Sequence, residues 1–430
     1  MSNLGGPLSL FLKRLILEAM AKIRLRSIKV QTRDYNLPTY LWVHPISKQK
    51  IHYSHAHPVK IALVANSDWN LYGYRLALIR ELKQQGHQVT LISPLGEYVK
   101  ALRKQGFNWL PIKMARRGTN PLRELLSIFE LYKIYRWSGF DVVHHFTIKC
   151  VIYGSFAAKL AGVSGVVNSI TGLGHIYVSQ KRMAGPARIV INLLYRLSLN
   201  KTIVVFQNSN DRAYFLKKRI IRAEQSELIA GSGVDVNKFT YQPEPTGRPR
   251  IIMVSRFLWN KGLREFVEAA EEINSETLRA EFVLVGDVDS GNPDSIPTEV
   301  IEGWTAKRGI KWIGWNENMP QIYKRSNLVC LPTYYGEGLP KVLIEAAASG
   351  RASITTDIPG CNDVVKDKVN GLLIPPKDVK ALVRSILFLM DNPRMRKKMG
   401  LAGRSIAEQE FSSKLVNQKT IALYQGLNNK

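Results

Sequence analysis

The sequence predicts an α/β protein built from two Rossmann-like, doubly wound parallel-sheet domains facing a cleft. Two observations carry that expectation. From Lys60 onward, short apolar runs alternate with stretches of helical periodicity, and the alternation restarts after a proline-rich stretch at Tyr241–Pro249. Strands apolar on both sides belong to parallel sheets covered by helices on each face. A chain of 430 residues, 45% apolar, has the length and the composition for two such units.

The elements follow in order. Ile61–Ala65 reads as the first strand, and a helical stretch through Leu76, Ile79 and Leu82 closes at Gly86, where a left-handed cap carries no steric penalty. Val89–Ile92, Trp109–Ile112, Asp141–His144, Val166–Ile170 and Ile203–Phe206 supply the remaining strands of the first half. Ile251–Val254, Phe282–Val285, Lys311–Ile313, Leu328–Leu331 and Ser353–Thr355 supply those of the second. A last periodic stretch, about residues 403–427, reads as a helix crossing back to the first half. The expected organisation is a basic extension (1–57), a first domain (58–247), a second domain (248–402) and a returning helix (403–430).

Charge is distributed unevenly. The chain carries 61 Lys+Arg against 34 Asp+Glu, a net +27. Residues 1–57 hold 9 basic and 2 acidic side chains, residues 58–247 hold 26 and 11, and the remainder 26 and 21. The excess before the proline-rich stretch points that half at an anionic surface or ligand. Leu8, Phe11, Leu12, Leu15, Ile16, Ala19 and Ile23 recur at helical spacing among Lys13, Arg14, Lys22, Arg24 and Arg26. Such a helix suits the headgroup region of an acidic bilayer, and equally a helix packed on the domain or a loose extension. Arg116, Arg117, Lys181, Arg182, Lys217, Lys218 and Arg219 lie beside apolar segments such as Ile189–Leu194, a mixture fitting the same surface. Three scattered cysteines (Cys150, Cys330, Cys361) give neither a disulfide framework nor a zinc site, and His52, His55 and His57 resemble a metal cluster only superficially. No apolar run reaches the roughly 18–20 residues of a membrane-spanning helix. A cytoplasmic protein, soluble or peripheral at the inner face of the cell membrane, is the expectation.

In open parallel sheets ligands bind at the carboxyl ends of strands, so chemistry is sought there. After Leu328–Leu331 comes Pro332-Thr-Tyr334-Tyr-Gly-Glu337-Gly338-Leu339-Pro-Lys341-Val342-Leu-Ile-Glu345. A helix starting near Leu339 would set free N–H groups beside Glu337, an arrangement for a phosphate ligand with carboxylates gripping hydroxyls. After Ile251–Val254 comes Ser255-Arg256-Phe-Leu-Trp-Asn-Lys261-Gly262, where Arg256 and Lys261 can converge on a diphosphate. Gly286-Asp287 and Gly314-Trp315 end two further strands of the same half.

With these residues the second half resembles the donor-binding domain of GT-B-fold retaining glycosyltransferases, specifically glycosyltransferase family four (glycosyl transferases group one). The Ser-Arg-x4-Lys-Gly element stands at Ser255–Gly262 and the Glu-x7-Glu element at Glu337–Glu345, and the resemblance covers about residues 58–425. It implies that Arg256 and Lys261 bind the nucleotide diphosphate and stabilise it as leaving group. Glu337 would contact the donor sugar and Glu345 the ribose hydroxyls. Ser255, Gly286, Gly314, Tyr334, Gly338, Leu339, Lys341 and Val342 complete the expected donor site. Leu339-Pro340 departs from the family's common Phe-Gly, and Pro340 has no N–H to offer.

In the first half, Asn66–Arg75, His144–Lys149 and Asn168–Gly174 each follow a predicted strand and look like bacterial members that extend sugars on polyprenyl-diphosphate carriers. The acceptor side is therefore assigned to Asn70, Arg75, His144, Thr147, Lys149, Gly172 and Gly174, with Thr147 and Lys149 reaching for phosphate. His144 and His145 stay open between lining the cleft and filling the strand. Asp287-Val-Asp289 spells the Asp-x-Asp of metal-dependent enzymes but follows a second-half strand in a different architecture, so no metal is expected. The implied reaction moves a hexose or N-acetylhexosamine from a UDP-sugar co-substrate to a lipid-diphosphate-linked saccharide, without nucleic acid. An epimerase of the same fold, or a non-catalytic binding protein, are the alternatives.

Overall fold

The computed structural model describes residues 58–115, 121–173, 184–307 and 309–428. The basic helix expected within residues 1–57 lies outside the described residues, as do Gly174, Arg116, Arg117, Lys181 and Arg182. The first lobe holds β1 (Lys60–Val64), β2 (Gln88–Ser93), β3 (Asn108–Pro111), β4 (Val142–Phe146), β5 (Gly165–Ile170), β6 (Ile203–Phe206) and β7 (Ser226–Leu228) in one sheet ordered β3-β2-β1-β4-β5-β6-β7. The second holds β8 (Arg250–Val254), β9 (Glu281–Val285), β10 (Ile310–Trp312), β11 (Leu328–Leu331), β12 (Ala352–Thr356) and β13 (Gly371–Ile374), ordered β10-β9-β8-β11-β12-β13. Every pairing is parallel. In each sheet the order reverses between the first and fourth strands, which opens a crevice at β1/β4 and at β8/β11. The predicted strands are all present within two residues at either end; β7 and β13 are additional edge strands.

Helices cover both sheets. The first lobe contributes α1 (Leu76–Gln84), α2 (Val99–Lys104), α3 (Pro121–Ser138), α4 (Ile148–Ala161), α5 (Ala184–Ser198) and α6 (Ser209–Lys217). The second contributes α7 (Leu263–Ile273), α8 (Thr298–Thr305), α9 (Met319–Lys324), α10 (Lys341–Ala348), α11 (Cys361–Val364), α12 (Val379–Asp391) and α13 (Pro393–Glu410), and the chain ends in α14 (Ser413–Asn428). The stretch read as one returning helix is thus two. Helix α13 stays with the second lobe, packing on α10 and β12, while α14 crosses back to α1, β4 and β5. Val416, Ile421 and Tyr424 of α14 are buried with Ile61, Leu63 and Leu91 of the first sheet.

The chain enters the second lobe upstream of Tyr241–Pro249. Val234 and Phe239 belong to the second lobe's core. Buried Arg351 donates to the carbonyls of Gln242 (2.8 Å) and Pro243 (3.3 Å), and Arg396 pairs with Glu244 at 2.7 Å. The proline-rich stretch is therefore bolted to the second lobe rather than strung between the two. At the crossing itself the outgoing and returning segments run side by side: Val234 N–H donates to Phe411 O and Ser413 N–H to Val234 O, each at 2.8 Å.

Candidate active site

The loops leaving β8 and β11 meet loops of the first lobe. Beyond β8, Ser255 N–H donates to Val285 O at 3.1 Å. Arg256 reaches outward and binds Asp289 Oδ2 through Nη1 at 2.6 Å, its side chain 45% exposed. A short 3-10 turn, Trp259–Lys261, brings the chain back. Lys261 is buried there; its Nζ is ion-paired to Glu337 Oε1 and lies 4.9 Å over the Tyr335 ring. The two cations of one motif are thus held by different acids. Asp289, half of the apparent Asp-x-Asp, anchors Arg256.

Glu337 sits in the turn before α10, which begins at Lys341 rather than Leu339. Glu345, within α10, accepts from the Tyr323 hydroxyl at 3.1 Å, and burial raises its pKa. Lys341, expected to offer only its amide, extends its side chain across the cleft: Nζ donates to Gly73 O at 2.8 Å and lies 5.2 Å over the Tyr74 ring. It stands 3.8 Å from Glu345 Oε1; burial lowers its pKa, with Glu345 opposing. Leu339 and Val342 pack against the core, and Val342 O accepts from Tyr323. Tyr334 braces the Lys261 turn, its hydroxyl donating to Trp259 O at 2.8 Å. Gly286 donates to Gly314 O at 2.9 Å and accepts from Trp312 Nε1 at 2.8 Å.

On the first-lobe side a π-helical turn, Asn70–Arg75, follows β1. Tyr74 as a whole is 39% exposed, but its hydroxyl end is buried, and that burial raises its pKa, opposed most by Arg256. The contact between the lobes at this place is made by Lys341, through Gly73 O and the Tyr74 ring. Arg75 is buried, 4.2 Å over the Phe146 ring, and burial lowers its pKa to about 10. Asn70 N–H donates to Ser67 O at 3.2 Å. Trp69 meets Trp315 edge-on across the lobes, ring centroids 5.3 Å apart.

Neither histidine offers a free nitrogen. His144 bonds Tyr424 Oη (2.6 Å) and Ser169 Oγ (2.7 Å), and burial holds its pKa well below the usual range. His145 bonds Tyr135 Oη (3.0 Å) and Asn168 Oδ1 (2.9 Å), its pKa lowered to about 4 by burial. Thr147 starts α4 at the β1/β4 crevice with φ 74° and ψ 152°. That backbone conformation costs a non-glycine residue about 1–3 kcal/mol and persists only where its surroundings impose it. Lys149 does not join the site; its ammonium binds Glu124 (2.6 Å) and Ala115 O (3.0 Å).

The seam between the lobes closes on the Glu337 loop. Gly172, at φ 109°, lies so close that a Cβ there would stand 2.7 Å from Gly338 N. From the far side Asn208, buried at the end of β6, donates Nδ2–H to Glu337 O (3.3 Å) and Gly338 O (3.1 Å). Its Oδ1 accepts Asp211 N–H at 2.8 Å and so caps α6, which fixes the amide's orientation. Asn208→Ser keeps a capping oxygen but loses both donors into the loop. It is expected to lower kcat about tenfold with little change in donor KM or melting temperature; a drop in melting temperature with normal kcat would mark it as a cap alone. Tyr74 and Asn208 are site residues that the sequence reading did not single out, and Asp289, weighed there only as half of an Asp-x-Asp, proves to be the partner of Arg256.

Comparison with known proteins identifies the family and the fold. Residues 237–406 match the family described as Glycosyl transferases group 1, and residues 60–209 the one described as Glycosyl transferase 4-like. The chain is 26% identical, over 85% of its length and 98% of the relative's, to N,N'-diacetylbacillosaminyl-diphospho-undecaprenol alpha-1,3-N-acetylgalactosaminyltransferase of Campylobacter jejuni. It is 27% identical to UDP-Gal:alpha-D-GlcNAc-diphosphoundecaprenol alpha-1,3-galactosyltransferase of Escherichia coli, over 64% of this chain and 73% of that one. A glycosyltransferase structure from Rickettsia africae superposes with a TM-score of 0.72 at 19% identity, covering 86% of this chain and 99% of that chain, and shares the GT-B fold. With both lobes matched, the chain is a glycosyltransferase whose second lobe belongs to the glycosyl transferases group 1 and whose first lobe belongs to the glycosyl transferase 4-like family.

Proposed function

We propose that this glycosyltransferase moves a hexose or N-acetylhexosamine from a UDP-sugar to a saccharide on a polyprenyl-diphosphate carrier, with retention and without a metal ion, during cell-surface polysaccharide or glycan synthesis. The observation that carries the reading is the Lys261–Glu337 pair, drawn from separate stretches of chain and held in a loop that the first lobe grips. The two bacterial relatives, each named for an undecaprenyl-diphosphate-linked substrate, support the acceptor class.

In the proposed step the bond from the anomeric carbon to the β-phosphate oxygen breaks, and UDP leaves with the electron pair. The acceptor hydroxyl oxygen bonds the anomeric carbon on the same face, and its proton passes to the departing phosphate. Lys261 and Arg256, each fixed by its own carboxylate, offer preorganised positive charge where the leaving group becomes more negative. Glu337 would hold the donor sugar and Glu345 the ribose. Closure of the lobes excludes water that would hydrolyse the donor. Arg75 and Asn70 would serve the acceptor side, and Thr147 holds its strained turn there. Docking at the inner, anionic face of the cell membrane would bring the lipid carrier to the cleft.

With purified protein and a panel of nucleotide sugars, UDP is expected to appear only when a lipid-linked acceptor is supplied. Sugar interconversion without UDP release would indicate an epimerase. Binding without any turnover would indicate a non-catalytic protein.

A further inference from the structure

Helix α3 is apolar on two opposite sides. Its inner side carries Leu131 and Tyr135, both buried in the first lobe's core. Its outer side exposes Leu126 (66%), Phe129 (52%) and Trp137 (78%). Those three, with Lys133, fall at i, i+3, i+11 and i+7, a single stripe along the helix. Isolated exposed apolar side chains are ordinary, whereas an aligned set on one helix marks a surface that something covers.

The charges beside the stripe say what. Lys133 Nζ lies 4.5 Å over the Phe129 ring and 6.0 Å from the Trp137 ring centroid, an ammonium resting between two aromatic faces. Arg123 and Arg136 are exposed on the same helix. Its acids are engaged elsewhere: Glu124 with Lys149 at 2.6 Å, and Glu130 with the Lys113 amide at 2.7 Å. Helix α4 packs against α3, and α5 against α4, extending the layer. Ile189 and Val190 of α5 and Leu160 of α4 are exposed as well, with Lys159 and Arg196 beside them. Apolar and aromatic side chains interleaved with bases, with a single acid on the stripe, Glu130, tied to the Lys113 amide, match the headgroup zone of an anionic bilayer.

We propose that the outer face of α3, continued by α5, is the surface on which this protein docks to an acidic membrane. The proposal rests on the reading that the acceptor is lipid-borne, and adds the face that meets the lipid. Among the described residues no helix is long and apolar enough to cross a membrane, so this attachment is lateral, by burial of the stripe and attraction of its bases.

The test is flotation of the full chain with vesicles of equal parts phosphatidylglycerol and phosphatidylcholine, against phosphatidylcholine alone. The wild type is expected to float with the acidic vesicles at low salt and to be released as salt rises. The triple variant Leu126→Ser, Phe129→Ser, Trp137→Ser should lose at least about tenfold in partitioning, since each side chain withdraws apolar area from the lipid. Lys133→Glu, a surface change that leaves packing intact, should lose at least about fivefold. Transfer to a water-soluble, short-chain acceptor should stay unchanged in both variants, which separates docking from catalysis. If even the wild type fails that soluble assay, the catalytic reading fails and the docking result still stands by itself. Wild-type flotation by both variants would overturn the proposal, as would flotation that depends on residues 1–57 alone. Self-association that the triple variant abolishes, without lipid binding, would overturn it in favour of a second copy of the chain.

Discussion

Lys261→Ala is expected to cut transfer by about 10²–10³-fold, the scale of losing one preorganised charge at a developing anion. Lys261 is buried beside the Tyr335 ring and has Glu337 as its ion-pair partner. Its removal also strands the Glu337 carboxylate, whose side chain is only 14% exposed. Stability should therefore fall by a few kcal/mol, somewhat less than the 3–5 kcal/mol of a fully buried pair because the cleft admits water. The double variant Lys261→Met, Glu337→Gln removes both charges. It should recover the melting temperature while leaving transfer as low as the single change. Near-normal turnover in Lys261→Ala would remove Lys261 from the mechanism. Recovery of turnover in the double variant would show that the charge pair matters to the fold alone.

Gly338→Ala should abolish transfer almost as thoroughly by a different route. A Cβ at this position would run into Gln207 Oε1 and stand 2.6 Å from Thr171 O. The glutamine tip can swing aside, but the Thr171 carbonyl is backbone beside Gly172 and cannot. The lobes must part, and a misplacement of about 1 Å between reacting groups costs on the order of 10² in rate. UDP affinity, measured by calorimetry, should fall only a few-fold because the second lobe keeps its own core. A variant that transfers at the wild-type rate would show that the seam seen between Gly338 and Thr171 is not needed for catalysis.

Much of this was legible in the sequence because the physics was local. Buried parallel strands are continuous apolar runs, so Ile203–Phe206 and Leu328–Leu331 were read to the residue. Strands β7 and β13 were not, being three- and four-residue edges, one holding an exposed Glu227 and the other beginning at Gly371. The motif residues Arg256, Lys261, Glu337 and Glu345 were identified as strand-end loop chemistry, but their partners were not. Nothing local ties Arg256 to Asp289 or Lys149 to Glu124; those pairs exist only after two separate loops are folded together. The same holds for His144, whose tyrosine partner is 280 residues away. Asn208 had a readable signal, a polar cap following a predicted strand, yet only the fold shows that its amide reaches the other lobe. Tyr74 lay inside a stretch already marked, and only the fold brings Lys341 of the opposite lobe over its ring.

The paired segments at Val234 and Ser412 hold the two crossings of the chain together. Both covalent passages between the halves go through this one bridge, and the proline-rich stretch that a reader of the sequence would take for a tether is immobilised. Any hinge between the lobes is then expected at this crossing, and not in the proline-rich stretch.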